Sequence, residues 1–261
     1  MLEQNKYPLS VVVLTKNEET RLSDCLTSVA WASDLIVLDD ESTDHTEVIA
    51  KQHNARFIRR KMDIEGRHRN FGYAQSKEKW VLSLDADERV SEALAEEIKK
   101  IILEDPTHLN GCTIPRKNYI GSYWIRYGGW YPSSQLKLFK RDAFKYKEDE
   151  VHPIALMEGR PQPLQGDIIH YSYRNFGDFI TKLNKQTSLE ATKWFRTGRK
   201  VSLGHALWRS VDRFFRSYFK KRGYKDGFVG FMIAAFASLY QILSYAKYWE
   251  MKYLGNQNFP H

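Results

Sequence analysis

Three short apolar runs, separated by segments of helical spacing, constrain this chain more than anything else in it. Residues 9–14, 35–38 and 80–84 are rich in Val, Ile and Leu and almost unbroken by polar side chains. Runs of this kind are strands covered on both faces, as parallel strands between helical layers are. After the first run, Leu22, Cys25, Leu26 and Val29 recur at helical spacing. After the second, Ser42-Thr43-Asp44 offers N-caps for a helix to about His53. Residues 56–58 read as a short third strand and residues 67–77 as a helix. Ser91 caps a further helix with Leu94, Ile98, Ile101 and Ile102 on one face. Alternation of this sort predicts an α/β fold with a doubly wound, mainly parallel sheet through about residue 103. Beyond Pro106, glycine, proline and aromatic residues interrupt short strands expected at 112–115, 135–139 and 167–171. From Asn175 onward the chain reads almost entirely as helix. The expected organisation is therefore an α/β domain over 1–174 and a basic helical extension over 175–261.

The strand ends carry the chemistry. The first run leads into Thr15-Lys16-Asn17-Glu18, the second into Asp39-Asp40, and the third into Asp85-Ala86-Asp87 with Glu88 behind. Open parallel sheets bind ligands beyond the carboxyl ends of their strands, so these groups should face one crevice. Neighbouring carboxylates repel one another and need an offset. Hard oxygen ligands with open positions suit Mg²⁺ or Mn²⁺ bound together with a diphosphate, and such an ion would supply the offset. No G-x-G-x-x-G follows the first run and no G-x-x-x-x-G-K-[ST] occurs anywhere. That excludes the usual dinucleotide fingerprint and the P-loop.

Residues 9–18 (LSVVVLTKNE), 37–44 (VLDDESTD) and 84–88 (LDADE), in this order and spacing, resemble the family-2 glycosyltransferases of the GT-A fold. Later blocks at 135–141 (QLKLFKR), 150–152 (EVH), 169–173 (IHYSY) and 222–228 (RGYKDGF) resemble the subgroup that builds the inner core of lipopolysaccharide. The resemblance implies that Thr15, Glu18 and Asp40 hold a nucleotide base and that Arg69 approaches the diphosphate. It implies that Asp85, with Ala86, faces the ribose or sugar, and that Asp87 and His170 bind Mn²⁺ or Mg²⁺. It further implies inversion by direct displacement, with Asp149 or Glu150 as the general base. The choice between those two stays open, because Pro153 stands where an acid is expected after Val151-His152. The implied substrates are a nucleotide sugar, UDP-hexose foremost, and a lipopolysaccharide-core or related glycolipid acceptor. A polyprenyl-linked, capsular or protein glycan is the alternative acceptor.

Charge is concentrated late in the chain. Residues 181–225 hold thirteen Lys or Arg against Glu190 and Asp212, in a chain whose total is +8. Arg209, Arg213, Arg216 and Lys220 lie at helical spacing beside Trp208, Val211, Phe215, Tyr218 and Phe219, an interfacial pattern that fits an anionic membrane surface. A nucleic-acid-binding module would account for this charge but not for the strand-end carboxylates, which repel phosphates; no nucleic acid is expected as a partner. Residues 227–246 carry no charge, yet Ser238, Gln241 and Ser244 favour a packed or shallowly inserted helix over a membrane span. Two cysteines make no disulfide framework, and Cys25 reads as core. Residues 1–8 lack the apolar stretch of a signal peptide. The expected location is the cytoplasm, peripheral on the inner face of a bacterial inner membrane.

Overall fold

The structure, a computed structural model, describes residues 6–148 and 154–255. In chain order its elements begin β1 (Tyr7–Thr15), α1 (Leu22–Ser28), β2 (Ala32–Asp39), α2 (Thr46–Gln52), β3 (Arg56–Arg59) and α3 (Glu65–Ala74). There follow β4 (Trp80–Asp85), β5 (Glu88–Val90), α4 (Glu92–Glu104), β6 (Gly111–Ile114), β7 (Arg116–Ile120), β8 (Tyr123–Ile125) and β9 (Gln135–Lys140). The remainder is β10 (Phe144–Tyr146), β11 (Ala155–Met157), β12 (Gln162–Pro163), β13 (Ile168–Tyr173), α5 (Phe176–Arg196), α6 (Leu203–Phe215) and α7 (Gly227–Tyr253). Two compact units result. The first comprises Met1–Lys117 and Ser133–His170, the second Asn118–Pro132 and Tyr171–His261.

In the first unit the described residues form a seven-stranded sheet in the order β12-β6-β9-β4-β1-β2-β3. β1 pairs in parallel with β2 and β4, and β2 with β3, while β9 runs antiparallel to both β4 and β6. The mainly parallel α/β reading of the sequence therefore holds. Alternate residues of one strand serve opposite layers. Val11 and Val13 join the cluster of Leu26, Val37, Leu84, Leu94 and Ile98, whereas Val12 joins Ile36, Tyr73, Val81 and Phe139 on the other face. With both faces covered, nothing selects for a polar residue at every second position, and the runs are continuous. Burial pushes the Cys25 thiol far above its ordinary range, which fits the core role read for it.

Two local differences from the sequence reading have clear causes. α2 starts at Thr46, just past the three capping candidates. Asp44 Oδ1 accepts from Thr46 N at 3.0 Å at the helix start, while its Oδ2 accepts from Glu19 N at 3.0 Å and Ser42 Oγ from Asn17 N at 2.8 Å. Thr43 N donates to Asn17 Oδ1 at 2.8 Å. These bonds fasten the loop after β1, in which Asn17 takes a left-handed conformation with φ of 54°. α3 starts two residues earlier than expected and lies close to the sheet through Gly72. A Cβ there would stand 2.9 Å from Leu38 Cδ2 and 3.0 Å from Val12 Cγ1. This contact fixes the height of Arg69, one turn earlier on the same helix.

In the second unit α7 packs against α5 and α6. Phe179, Leu183, Ile233 and Phe236 form its main core, together with Ile120 and Ile125 of the β7–β8 hairpin. α6 is followed directly by a π-helical turn, Arg216–Lys220, so the basic segment is not one regular helix. The stretch Gly223–Tyr253 is long and apolar enough, by length and composition, to cross a membrane. Its Gly230, Ile233, Ala234, Phe236, Gln241, Ser244 and Tyr248 are nevertheless buried within the unit.

Candidate active site

Register brings the predicted residues together. Thr15 stands opposite Asp39 and Leu14 opposite Asp85, and the chain leaves the sheet at the same level on all three strands. Asp40 N donates to Thr15 O at 2.9 Å and Ala86 N to Leu14 O at 3.1 Å, which extends both ladders by one bond. Asp40, Thr15, Asp85 and Asp87 thus share one edge of the first unit.

On the β1–β2 side, Asp40 accepts from Lys16 Nζ at 2.8 Å and from Met62 N at 2.7 Å. Burial acts to raise the Asp40 pKa, but these bonds outweigh it and hold the group below the ordinary carboxylate value. Asp39 is fully buried and turned back into the protein, where Ser42 N and Oγ donate to it. The pair therefore divides into an internal brace, Asp39, and a rim residue, Asp40. Thr15 Oγ1 is buried with no hydrogen-bond partner among the described residues. A hydroxyl left so is a candidate contact for a bound molecule. Glu18 lies beside Arg21 at 3.9 Å, and its N–H donates to Thr46 Oγ1 at 3.1 Å.

On the β4 side the offset demanded by clustered carboxylates comes from the chain itself. Asp85 Oδ1 meets Arg69 at 3.2 Å and its Oδ2 meets Lys137 Nζ at 3.1 Å. Lys137, on β9, also bonds Glu88 at 2.7 Å, and Arg116 stands 3.5 Å from the other oxygen of Glu88. Glu88 is 0% exposed. Burial acts to raise the Asp85 pKa, yet the nearby Lys137 and Arg69 charges push it well below its ordinary range. Burial acts to lower the Lys137 pKa, and Asp85 and Glu88 together push it well above the lysine range. The expectation that a metal is needed to relieve this repulsion is corrected here: Asp85 and Glu88 are neutralised by Lys137, Arg69 and Arg116.

Asp87 differs. Its Oδ2 lies 3.5 Å from His170 Nε2 and 3.6 Å from Arg21. His170 reaches it because β13 pairs antiparallel with β5, setting His170 opposite Glu88. A carboxylate oxygen and an imidazole nitrogen this close fit a shared divalent ion with positions left for phosphate oxygens. Among the described residues no group of three or more His, Cys, Asp or Glu is arranged to hold a metal. Ala86 is buried. Its carbonyl, with those of Glu88 and Arg21, accepts from the Arg89 guanidinium at 2.8, 2.9 and 2.6 Å, and this braces the turn that carries Asp87.

Sequence reasoning missed Lys137, Arg116, Arg21 and Arg89. Lys137 lies inside the 135–141 block quoted above, where a charged residue in an apolar strand was the available signal. The candidate bases Asp149 and Glu150 lie outside the described residues. Next to them, the Glu148 carboxylate bonds Arg67 at 3.0 Å and Asn70 at 3.3 Å.

A mainly parallel α/β sheet with carboxylates gathered at its carboxyl edge defines a protein of the GT-A class. The chain belongs to glycosyl transferase family 2, whose sequence model matches residues 10–158. It is similar to the lipopolysaccharide core biosynthesis glycosyltransferase LpsC of Rhizobium meliloti, at 24% identity over 94% of this chain and 93% of that protein. It is also similar to an uncharacterised glycosyltransferase of Rickettsia typhi, at 26% identity over 93% and 87% of the two chains. Among solved structures, TarS 1-349 of S. aureus in complex with UDP-GlcNAc matches with a TM-score of 0.43 and 14% identity, over 97% of this chain and 93% of that one.

Proposed function

We propose that this chain is an inverting, metal-dependent glycosyltransferase that moves a sugar, UDP-hexose foremost as donor, onto a lipopolysaccharide-core or related glycolipid acceptor. The observation that carries this reading is the meeting of Asp40, Asp85 and Asp87 at one edge of a GT-A-type sheet. Thr15, Glu18 and Asp40 hold the base, with the unpartnered Thr15 hydroxyl and the Asp40 carboxylate as its polar contacts. Asp85 and the Ala86 backbone face the ribose or sugar, and Arg69, already on Asp85, is close enough to share its charge with a diphosphate. Asp87 and His170 would hold Mn²⁺ or Mg²⁺, which when bound neutralises charge on the departing diphosphate. The acceptor hydroxyl passes its proton to Asp149 or Glu150 as its oxygen bonds to the anomeric carbon, and the sugar–diphosphate bond breaks on the opposite face with its electrons leaving on the diphosphate.

The acceptor class is supported by the name of the Rhizobium meliloti relative and by the second unit. On α6, Leu207, Trp208, Val211 and Phe215 are 46–62% exposed beside Arg209 and Arg213. Such a face holds a protein at an anionic bilayer, where a glycolipid acceptor resides. This agrees with a peripheral, cytoplasmic-face location. A screen of UDP-sugars for slow hydrolysis, with Mn²⁺, Mg²⁺ or chelator and no acceptor, tests the donor half. The expected result is UDP release from one UDP-hexose that chelator abolishes. No UDP-sugar binding with either ion, together with salt-sensitive binding of DNA, would replace this reading with that of a nucleic-acid module.

A further inference from the structure

The second unit holds a cavity lined by none of the residues assigned to the nucleotide sugar. Its volume is about 490 Å³, within the range of small-ligand pockets. Every residue lining it belongs to the second unit. Phe179 and Leu183 of α5 and Ile233 and Phe236 of α7 give it an apolar floor. Arg199, Arg209 and Arg213 also line it, against one carboxylate, Glu190. That carboxylate is engaged by Trp194 Nε1 at 2.7 Å, and Arg199 lies over the Trp194 ring at 5.5 Å. Neither Arg209 nor Arg213 forms a salt bridge among the described residues.

Three guanidinium groups around an apolar hollow are complementary to one kind of solute. Arg199 and Arg213 are exposed and Arg209 half-buried, and a phosphate or carboxylate accepting from them gains charge-assisted bonds. A small inorganic anion could bond the arginines but would leave most of the cavity's volume unfilled. A neutral hydrocarbon would cover the floor but leave the charges unanswered. We propose that this cavity binds an anionic amphiphile drawn from the bilayer: a lipid phosphate or carboxylate on Arg209 and Arg213, with alkyl chain over Phe179, Leu183, Ile233 and Phe236. The binding is independent of the donor reading, since no residue assigned to the nucleotide sugar takes part.

The test is isothermal calorimetry on the full chain with dodecyl phosphate below its micelle concentration, set against inorganic phosphate and dodecyl maltoside. Dodecyl phosphate is expected to bind saturably with one site per chain, and each comparison solute at least about tenfold more weakly. The double variant Arg209→Gln/Arg213→Gln should lose about tenfold or more in affinity for dodecyl phosphate with its thermal unfolding unchanged. Ala237→Phe, which fills the cavity without touching charge, should lose a similar factor, and it decides the matter if the double variant does not fold. Equal affinity for dodecyl maltoside or for inorganic phosphate overturns the proposal, as does unchanged affinity in the variants. Loss of binding in Trp208→Ser/Val211→Ser instead would assign the amphiphile to the exposed face of α6 and overturn it as well.

Discussion

The two units treat unfavourable groups in opposite ways. The first takes charges out of water and answers them with opposite charges, donors or carbonyl acceptors: Lys137 between Asp85 and Glu88, Ser42 on Asp39, Arg89 on three carbonyls. The second leaves apolar side chains in water along α6 and lines a cavity with arginines that meet no carboxylate. Isolated buried charges cost several kcal/mol each, and exposed large apolar surfaces mark contact with something else. The difference teaches that the first unit answers the carboxylates of its sheet edge from within, Asp87 included, through Arg21 and His170. The second keeps its uncompensated groups at the surface, where the proposed membrane contact would cover them.

That contrast can be broken at four points, the largest effect first. Asp87→Ala removes the strand-end carboxylate that meets His170 and Arg21. Turnover should fall about a thousandfold while circular dichroism stays native. Near-normal turnover of the folded variant would remove Asp87 from the chemistry. Lys137→Ala should act on the fold instead, since it leaves Asp85 and Glu88 facing each other; a loss of about 3–5 kcal/mol is expected in denaturant titration. The same cluster sets a pH window. Asp85 is depressed below its ordinary 3.8, so its contribution is full above that value and lost as pH falls through the folded value. Lys137 is raised above its ordinary 10.5, so its contribution is full below that value and lost as pH rises through the folded value. The wild type minus Lys137→Ala stability difference should thus stay level across that interval and shrink outside it; a steady slope near neutral pH would count against the pairing.

Asp40→Asn should cost less, a loss of about ten- to a hundredfold in UDP affinity, as for one hydrogen bond to a charged group. Calorimetry with UDP reads it, and unchanged affinity would separate Asp40 from the base. The smallest effect is expected at the second unit's outer face. Trp208→Ser/Phe215→Ser should weaken binding to anionic vesicles at least about tenfold and leave UDP-sugar hydrolysis in solution unaltered. If flotation with vesicles does not change, the exposed face has another purpose.

Much of the carboxylate edge was legible because a parallel strand is a local object. The apolar runs at β1, β2 and β4 and the acids that end them are contiguous, and the sheet rule orders them at one edge. What was hidden is what arrives from elsewhere. Lys137 reaches Asp85 only because β9 turns antiparallel against β4, and no spacing in the sequence encodes that pairing. Nothing in the spacing of Arg21 or Arg89 marks them as supports of the Asp87 turn. In the second unit helix content was legible from composition, but the π-helical turn after α6 depends on packing that periodicity does not register.

The Arg89 guanidinium ties the carbonyls of Ala86 and Glu88 to that of Arg21, at the foot of α1. Two stretches of backbone more than sixty residues apart in the chain are thereby riveted into a single rigid bracket. Any shift of the Asp87 turn drags the head of α1, with Arg21 and its neighbour Glu18, along with it. Evolution or an engineer retuning grip at one end of this bracket will find the other end moving too, so the two cannot be adjusted separately.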